Sequence, residues 1–486
     1  MNIYGIGGSV VHSRFVKQFP SHAPPRQCFA LGFLIACALA AQQMALGQQS
    51  LFQGSVPTDT ASTTPLALTL RGAIERGLKT NLGLLISEST SETVRGQRME
   101  ALSALLPKLN ARVTQAEEQI SLKQLGFNLK IPGVSIPSIN GPFHYTDVRA
   151  YASWAAYDYS ARKNLQVSSE NRRAVQLSLM DARDLVVTAA ASAYLQIVAD
   201  ASRVEAIRSQ VETSQALYDR ANDRQNAGTA AGIDVLRARV ELKQQQQRLL
   251  AATNQFDKDK LALGRVIGLP NGQDFNLAET TPYTPLAALT QDEAVQTALR
   301  QRADYQSQQA RVTASEAALK AAHGERYPTG NITADYGAVG PALNDSHGTF
   351  TVIASASVNI FDGGRISGEV VQARAALKQR RDELANLAAD IAYQINTALL
   401  DIKTAADQVA VARDNLDLAN ETLAQARDRF SAGVSDNIEV VQAQDSVASA
   451  NDSLISALYS HNVAKVALAR DLGGAEQGIQ KYLEVK

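Results

Sequence analysis

An internal duplication constrains the fold of this chain more than any other feature. Residues 223–228 (DRQNAG) match residues 428–433 (DRFSAG), and residues 233–235 (IDV) match residues 438–440 (IEV), each 205 positions later. The first half also carries 17 additional residues, which fall between about 113 and 145. A chain of two tandem copies is predicted to contain each structural element twice.

Each copy is predicted to contain a helix, two strands, a long helix and a returning helix. In repeat 1, residues 66–268, the strands are expected at about 107–116 and 146–157, the long helix at 162–227 and the returning helix at 233–268. In repeat 2, residues 289–473, these four elements are expected at about 328–337, 349–361, 365–432 and 437–473. The proline-rich stretch 269–288 is predicted to be a linker, and residues 474–486 a loose tail.

The two long helices are predicted from segments that contain no proline. At 1.5 Å per residue, about 65 residues form a rod of roughly 100 Å, which is too long for an ordinary globular core. In the second copy, mostly apolar residues recur every seven positions, and this spacing predicts that the long and returning helices pack as a coiled-coil hairpin. The positions are Ile402, Val409, Leu416, Leu423 and Phe430, followed by Val440, Val447, Leu454, His461 and Leu468.

The four predicted strands alternate between apolar and polar residues. Near 349–361, for example, Phe350 and Val352 lie on one face, and Thr349 and Thr351 on the other. Alternation also suits a soluble sandwich, but an exported chain without a spanning helix crosses a membrane only as a closed barrel. Since small barrels need about eight strands, four strands per chain predict an oligomer.

The N-terminus has the pattern of an export signal. An apolar run at 29–41 (FALGFLIACALAA) follows Arg14, Lys17 and Arg26, and it is shorter than the ~20 residues of a spanning helix. We predict a signal peptide at residues 1–47, followed by an extended leader at residues 48–65.

Both cysteines, Cys28 and Cys37, lie within this predicted signal peptide. The mature chain is therefore expected to form no disulfide. Residues 34–37 (LIAC) also resemble a lipobox, so lipidation of Cys37 is the alternative to its loss with the signal.

Charge and motif content exclude several classes of function. The chain has 47 basic and 48 acidic residues, a net charge of −1, so no strong field attracts nucleic acid. Its six histidines are scattered and form no metal-binding motif. We expect no nucleic-acid partner, no enzyme activity, no metal and no cofactor.

The order of these elements and their duplication resemble the TolC family of outer-membrane efflux proteins. The turn motif Ala-Gly, followed by Ile-[Asp/Glu]-Val and Ala, is present in both copies, and residues 68–70 (LTL) and 362–365 (DGGR) also resemble family signatures. The resemblance covers nearly all of residues 66–473. It implies a mixed α+β membrane protein in the outer membrane of a Gram-negative-type bacterium. It also implies a homotrimer, with twelve strands in one β-barrel and the helices in a periplasmic α-barrel.

The same resemblance implies a passive exit duct of a tripartite efflux pump or a type I secretion system. In such a system a periplasmic adaptor and an inner-membrane transporter of the RND, ABC or MFS type supply the energy and choose the cargo, and outer-membrane lipid surrounds the barrel. The competing interpretation is a periplasmic coiled-coil adaptor or structural protein. The four strands and the duplication disfavour that interpretation.

The two turn motifs contain the candidate functional residues. Gly228 and Gly433 are expected to end the long helices with positive φ, which places Asp234 and Glu439 in the first turns of the returning helices. An acid there interacts favourably with the helix dipole by roughly 0.3–1 kcal/mol. The functional alternative is that oligomerisation turns these acids into a ring of carboxylates at the periplasmic aperture.

Two arginines lie close to these acids in the sequence. Arg224 and Arg429 are expected either to pair with the acids or to interact with the C-terminal ends of the long helices. The resemblance implies a ring position at Glu439, with a second acid where this chain has Gln442 and an arginine where it has Ser435.

The resemblance also assigns adaptor docking to the tips of the two hairpins. The tip residues are Ala227, Gly228, Ala432 and Gly433.

Overall fold

The computed structural model describes residues 52–58, 60–121, 139–229, 231–278, 283–286, 289–435 and 437–483. The chain divides into two units, Met1–Leu51 and Phe52–Lys486, and the described residues all belong to the second. The predicted signal peptide, with Cys28 and Cys37, lies outside the described residues.

Nine α-helices, one short 3-10 helix and six strands lie within the described residues. In chain order the helices are α1 Leu70–Thr80, α2 Leu82–Ser103, α3 Tyr159–Asn226, α4 Gly232–Val266, α5 Gln291–Gln301, α6 Ala303–Gly324, α7 Arg365–Ser431, α8 Asn437–Asp471 and α9 Ala475–Tyr482. The strands are β1 Leu66–Leu68, β2 Lys108–Ser121, β3 Ile139–Tyr157, β4 Phe275–Leu277, β5 Thr329–Gly340 and β6 His347–Ser357. Two helices, two strands, a long helix and a returning helix follow one another in each half of the chain.

The long helices α3 and α7 contain 68 and 67 residues. Helix α3 begins at Tyr159, slightly before the predicted residue 162, because the Asp158 carboxylate accepts a hydrogen bond from the Ala161 N–H at 2.8 Å and caps the helix. Helix α3 packs against α4 and α8, and α8 also packs against α7.

The heptad positions lie at the contact between α7 and α8. Most of these side chains are buried, and Leu416 and Leu454 are partly buried. The buried positions are Ile402, Val409, Leu423, Phe430, Val440, Val447, His461 and Leu468. The seven-residue spacing in the sequence therefore corresponds to a packed seam between the two helices.

Strands β2, β3, β5 and β6 form one antiparallel sheet in that order. The β2–β3 pair is longer than the predicted strands at 107–116 and 146–157, because its ladder continues to the pair Ser121 and Ile139. Strand β5 begins to pair with β3 only at Thr146. The β2–β3 ribbon thus projects beyond β5. In the projecting part the side chains do not alternate clearly between apolar and polar, and backbone hydrogen bonds hold the two strands together.

The strands of the second half differ less from the sequence expectation. Strand β5, predicted at 328–337, ends at Gly340, and β6, predicted at 349–361, covers His347–Ser357. Strand β6 is the edge of the sheet, and its pairing with β5 ends at Ser357. Residues 358–361 therefore lack the cross-strand hydrogen bonds that define a strand.

The prediction of a single helix at the start of each half is wrong, because each half begins with two helices. In the first half the backbone is extended at Asn81, whose carboxamide accepts a hydrogen bond from the Gly83 N–H at 3.0 Å and caps α2. In the second half the backbone is extended at Arg302, between α5 and α6. These breaks are 221 residues apart, the same offset that relates Ala73 to Ala294 and Leu78 to Leu299 in the sequence.

The prediction of a loose tail at 474–486 is also wrong for most of the residues that the structure describes there. Residues 475–482 form helix α9, and Ala475, Ile479 and Leu483 are buried against the core. The spacing of these three apolar residues puts them on one face of the helix. The predicted linker 269–288 contains β4, which pairs in parallel with β1 through Leu66 and Phe275.

The hydrophobic core beside β1 and α9 surrounds α3. Tyr194 is completely buried there, and its hydroxyl donates to the Leu68 carbonyl at 3.2 Å. An apolar stretch of α3 is long enough to cross a membrane by length and composition, yet 56% of it is buried inside the chain. Burial of this kind is typical of a core helix.

Candidate functional site

Both long helices end in the same type of turn, which sets the geometry of the two hairpin tips. In the first tip Gly228 has a φ of +72°, and the Thr229 N–H donates to the Arg224 carbonyl at 2.8 Å. In the second tip Gly433 has a φ of +73°, and the following N–H donates to the carbonyl five residues earlier at 3.0 Å. This Schellman arrangement needs a residue in the left-handed region and therefore favours glycine.

The two acids occupy the predicted first turns of α4 and α8. The Glu439 carboxylate lies 3.4 Å from the Arg429 guanidinium, so Arg429 pairs with the acid, which is one of the two alternatives expected from the sequence. Asp234 instead lies 3.7 Å from Arg237, one turn further along its own helix. Each acid is therefore partnered within its own hairpin, by ion pairs that are partly exposed to solvent.

Arg224 interacts with the C-terminal end of a long helix, which is one of the two alternatives expected from the sequence, but the helix is α7 and not its own helix α3. Its guanidinium lies over the Phe430 ring, 4.9 Å from the ring centroid, and donates to the Phe430 carbonyl at 3.4 Å. Phe430 belongs to the end of α7, so this contact connects the end of the first long helix to the end of the second. The cation–π contact and the interaction with a helix C-terminus both favour an arginine at this position.

The residues at the hairpin tips form an exposed surface. The predicted docking residues Ala227, Gly228, Ala432 and Gly433 are all exposed. Beside them Val434 exposes 71% of its surface and Leu236 exposes 58%.

Two polar residues lie near the second tip. Gln442 is exposed on α8. The Ser435 hydroxyl is buried and has no hydrogen-bond partner among the described residues. In the described part of the chain, no group of three or more His, Cys, Asp or Glu side chains is arranged to hold a metal ion.

The four-stranded sheet at the other end of the long helices has one apolar and one polar face. Large apolar side chains on the first face are exposed, among them Leu109, Val113, Tyr336, Phe350 and Val352. The outer strands of the sheet, β2 and β6, each pair with one neighbour only. In the described chain this sheet therefore has two open edges and an uncovered apolar face.

Comparison with known proteins identifies the family. The profile of the outer membrane efflux protein family matches residues 74–269 and 294–474, which is most of the chain. The toluene efflux pump outer membrane protein TtgF of Pseudomonas putida is 23% identical over 437 residues, covering 84% of each chain. The pyoverdine export outer membrane protein OpmQ of Pseudomonas aeruginosa is 23% identical over 445 residues, covering 85% of this chain and 88% of that one.

A solved structure has the same fold. The CmeC outer membrane channel of Campylobacter jejuni superposes with a TM-score of 0.72 at 16% identity, over 89% of this chain and 95% of that one. The resemblance inferred from the order of elements and the turn motifs is thereby confirmed. This protein is a member of the outer membrane efflux protein family, and it is an outer-membrane component of an efflux system.

Proposed function

We propose that three copies of this chain form one continuous conduit, with a twelve-stranded barrel in the outer membrane and a helical tunnel in the periplasm. The observation that carries this proposal is the four-stranded sheet with an exposed apolar face and two open edges. Unpaired backbone groups are costly in lipid, so a sheet in a membrane must close. Strands β2 and β6 run in opposite directions, so β2 of one copy and β6 of the next are suited to antiparallel pairing.

The helices support the same arrangement. Helices α4 and α7 lie at the two sides of the packed set α4, α3, α8 and α7. Both expose large apolar side chains, including Leu250 and Leu261 on α4, and Tyr393, Leu400 and Val411 on α7. Burial against a neighbouring copy removes this apolar surface from water and so favours association.

The conduit is passive in this proposal. A periplasmic adaptor binds the exposed tips, and an inner-membrane transporter of the RND, ABC or MFS type supplies the energy and selects the cargo. The names of the relatives, which refer to efflux and export, favour an efflux pump over a type I secretion system. A periplasmic coiled-coil adaptor is disfavoured, because a soluble protein would not leave the apolar face of the sheet in water.

The tips form the periplasmic aperture in this proposal. Threefold symmetry turns Asp234 and Glu439 into rings of carboxylates, and charged rings favour counter-ions in a pore. Arg237 and Arg429 balance these acids within each tip, and the contact of Arg224 with Phe430 holds the two hairpins of one copy together. Gln442 adds no charge to the ring.

Cell fractionation and planar-bilayer recording test the proposal together. We expect the full-length protein in the outer-membrane fraction, and we expect the purified protein to produce discrete single-channel currents. A variant that ends before α7 serves as the control, since it lacks a helix of the tunnel and should give no such currents. Recovery in the soluble periplasmic fraction, or a complete absence of channels, would contradict the proposal.

A further inference from the structure

The polar face of the sheet carries a cluster of charged residues close to one end of its strands. Arg149 pairs with Gly337, and the β3–β5 ladder ends only three pairs later at Thr146 and Gly340. This end of the sheet is the one with the β2–β3 and β5–β6 connections, while the long helices start from the opposite end. In the proposed trimer the cluster therefore lies inside the barrel, near its outer mouth, because lipid covers the apolar face.

Arg149 is fully engaged within this cluster. Its guanidinium donates to the carboxylates of Asp335 and Asp147, the latter at 3.3 Å, and to the Thr349 hydroxyl at 2.9 Å. These contacts cross from β3 to β5 and β6. The two acids expose only 19% and 21% of their side chains, so Arg149 and these two carboxylates form an ion-paired patch with one net negative charge in the wall of the sheet.

Arg112 lies directly across from Arg149 on β2 but is placed differently. Its guanidinium lies over the Tyr151 ring, 5.5 Å from the ring centroid, and the residue is exposed. Among the described residues, Arg112 has no ion pair. The aromatic ring supports the guanidinium by a cation–π contact and leaves its N–H groups accessible.

A neighbouring copy supplies no carboxylate from its pairing strand. In the proposed barrel, β2 lies beside β6 of the next copy, and His347–Ser357 contains no Asp or Glu. The polar face of that strand offers hydroxyl groups instead, from residues such as Thr351 and Ser355. Trimer formation therefore does not neutralise Arg112 through its new neighbouring strand.

We propose that the three Arg112 side chains form an anion-binding belt in the outer part of the barrel lumen. A guanidinium presents a planar set of donors that matches phosphate, sulfonate and carboxylate groups, and three such groups around one axis bind a multivalent anion together. The belt would hold anionic groups of molecules that leave through the conduit. This inference rests on the proposed function, because the belt exists only in the trimer.

Block of single-channel current by inorganic tripolyphosphate tests the belt. Channels are inserted in one orientation, and the probe is added either to the barrel side or to the tunnel side. We expect block at lower concentration from the barrel side. In Arg112→Gln the half-blocking concentration on that side should rise by about tenfold or more, whereas Arg112→Lys, which keeps the charge, should retain most of the block. Arg95→Gln is the matched control, because Arg95 is an exposed arginine on α2, outside the sheet.

The possible results test the Arg112 belt and the proposed conduit independently. Unchanged block in Arg112→Gln overturns the belt and leaves the conduit intact. Absence of any channel in the unmodified protein overturns the proposed function instead. If Arg112→Gln does not assemble, Thr351→Glu replaces it, since three added carboxylates on the same polar face should also abolish the block. Persistent block in that variant contradicts the belt.

Discussion

Asp234 and Glu439 each lie within 4 Å of an arginine of the same hairpin tip, so neither acid depends on another copy for its balance of charge. Replacing both acids by alanine leaves Arg237 and Arg429 uncompensated at the proposed aperture. We therefore expect the double variant to conduct cations less well than the unmodified channel. The reversal potential in a salt gradient across a planar bilayer measures this change.

A matched control distinguishes the aperture from a general effect of charge. Glu205 is an exposed acid of α3 that pairs with Arg208, far along the helix from the tip. Glu205→Ala should leave the reversal potential unchanged. If the tip variant and this control behave alike, Asp234 and Glu439 act only through the helix dipole and do not line the aperture.

The sequence contains part of the information needed to predict the tips. The glycines and the first-turn acids follow from local rules of helix ends. The pairing of Asp234 with Arg237 was also accessible, since residues three apart are neighbours on a helix. The contact of Arg224 with Phe430 was not, because it joins residues 206 positions apart, and only the packing of the two hairpins brings them together.

At the scale of elements, buried charges hold the returning helix against the break between α5 and α6. Arg302 exposes 5% of its side chain, and its guanidinium lies 2.7 Å from Asp304 and 3.7 Å from Asp471 at the end of α8. It also donates to Gln394 of α7 at 2.8 Å. Burial raises the pKa of Asp471, against the opposing charges of Arg302 and Arg470.

Removing this arginine should destabilise the fold in a pH-dependent way. Arg302→Met removes the ion-pair partner of Asp304 and leaves Asp471 with Arg470 alone, which costs about 3–5 kcal/mol near neutral pH. A carboxyl whose pKa is raised in the folded chain weakens the fold above that pKa, and the penalty disappears as the pH falls below it. The loss should therefore be largest at neutral pH and should shrink on acidification.

Thermal unfolding measured at several pH values checks this prediction. Arg300→Met is the control, because Arg300 is an exposed arginine in the last turn of α5, two residues before Arg302. It should unfold as the unmodified protein does. A midpoint of Arg302→Met that equals the control at neutral pH, or that falls further in acid, would contradict the account.

Sequence patterns predicted the long elements better than the short ones. The heptads and the alternating strands extend over many residues, so their periods are clear. Helix α9 was missed, although Ala475, Ile479 and Leu483 have helical spacing, because it is short and lies near the chain end. Strands β1 and β4 have three residues each and pair across 209 positions, which no local pattern indicates.

At the scale of the whole molecule, the chain has surfaces that are incomplete in a single copy. In the proposed trimer, the open edges of the sheet and the apolar side chains of α4 and α7 lie where a second copy meets the first, and the uncovered apolar face of the sheet contacts lipid. The sequence predicted an oligomer for the same physical reason, because four strands cannot close. It did not predict the register between copies, since pairing of separate chains leaves no periodic signal in one of them.

The number of chains in the purified particle tests the central claim most directly. Native mass spectrometry of the protein extracted from the outer membrane in detergent counts the chains, and the account predicts three. A closed sheet of twelve strands needs all three copies, so no smaller assembly satisfies the edges of β2 and β6 in this arrangement. A particle that contains one or two chains would contradict it.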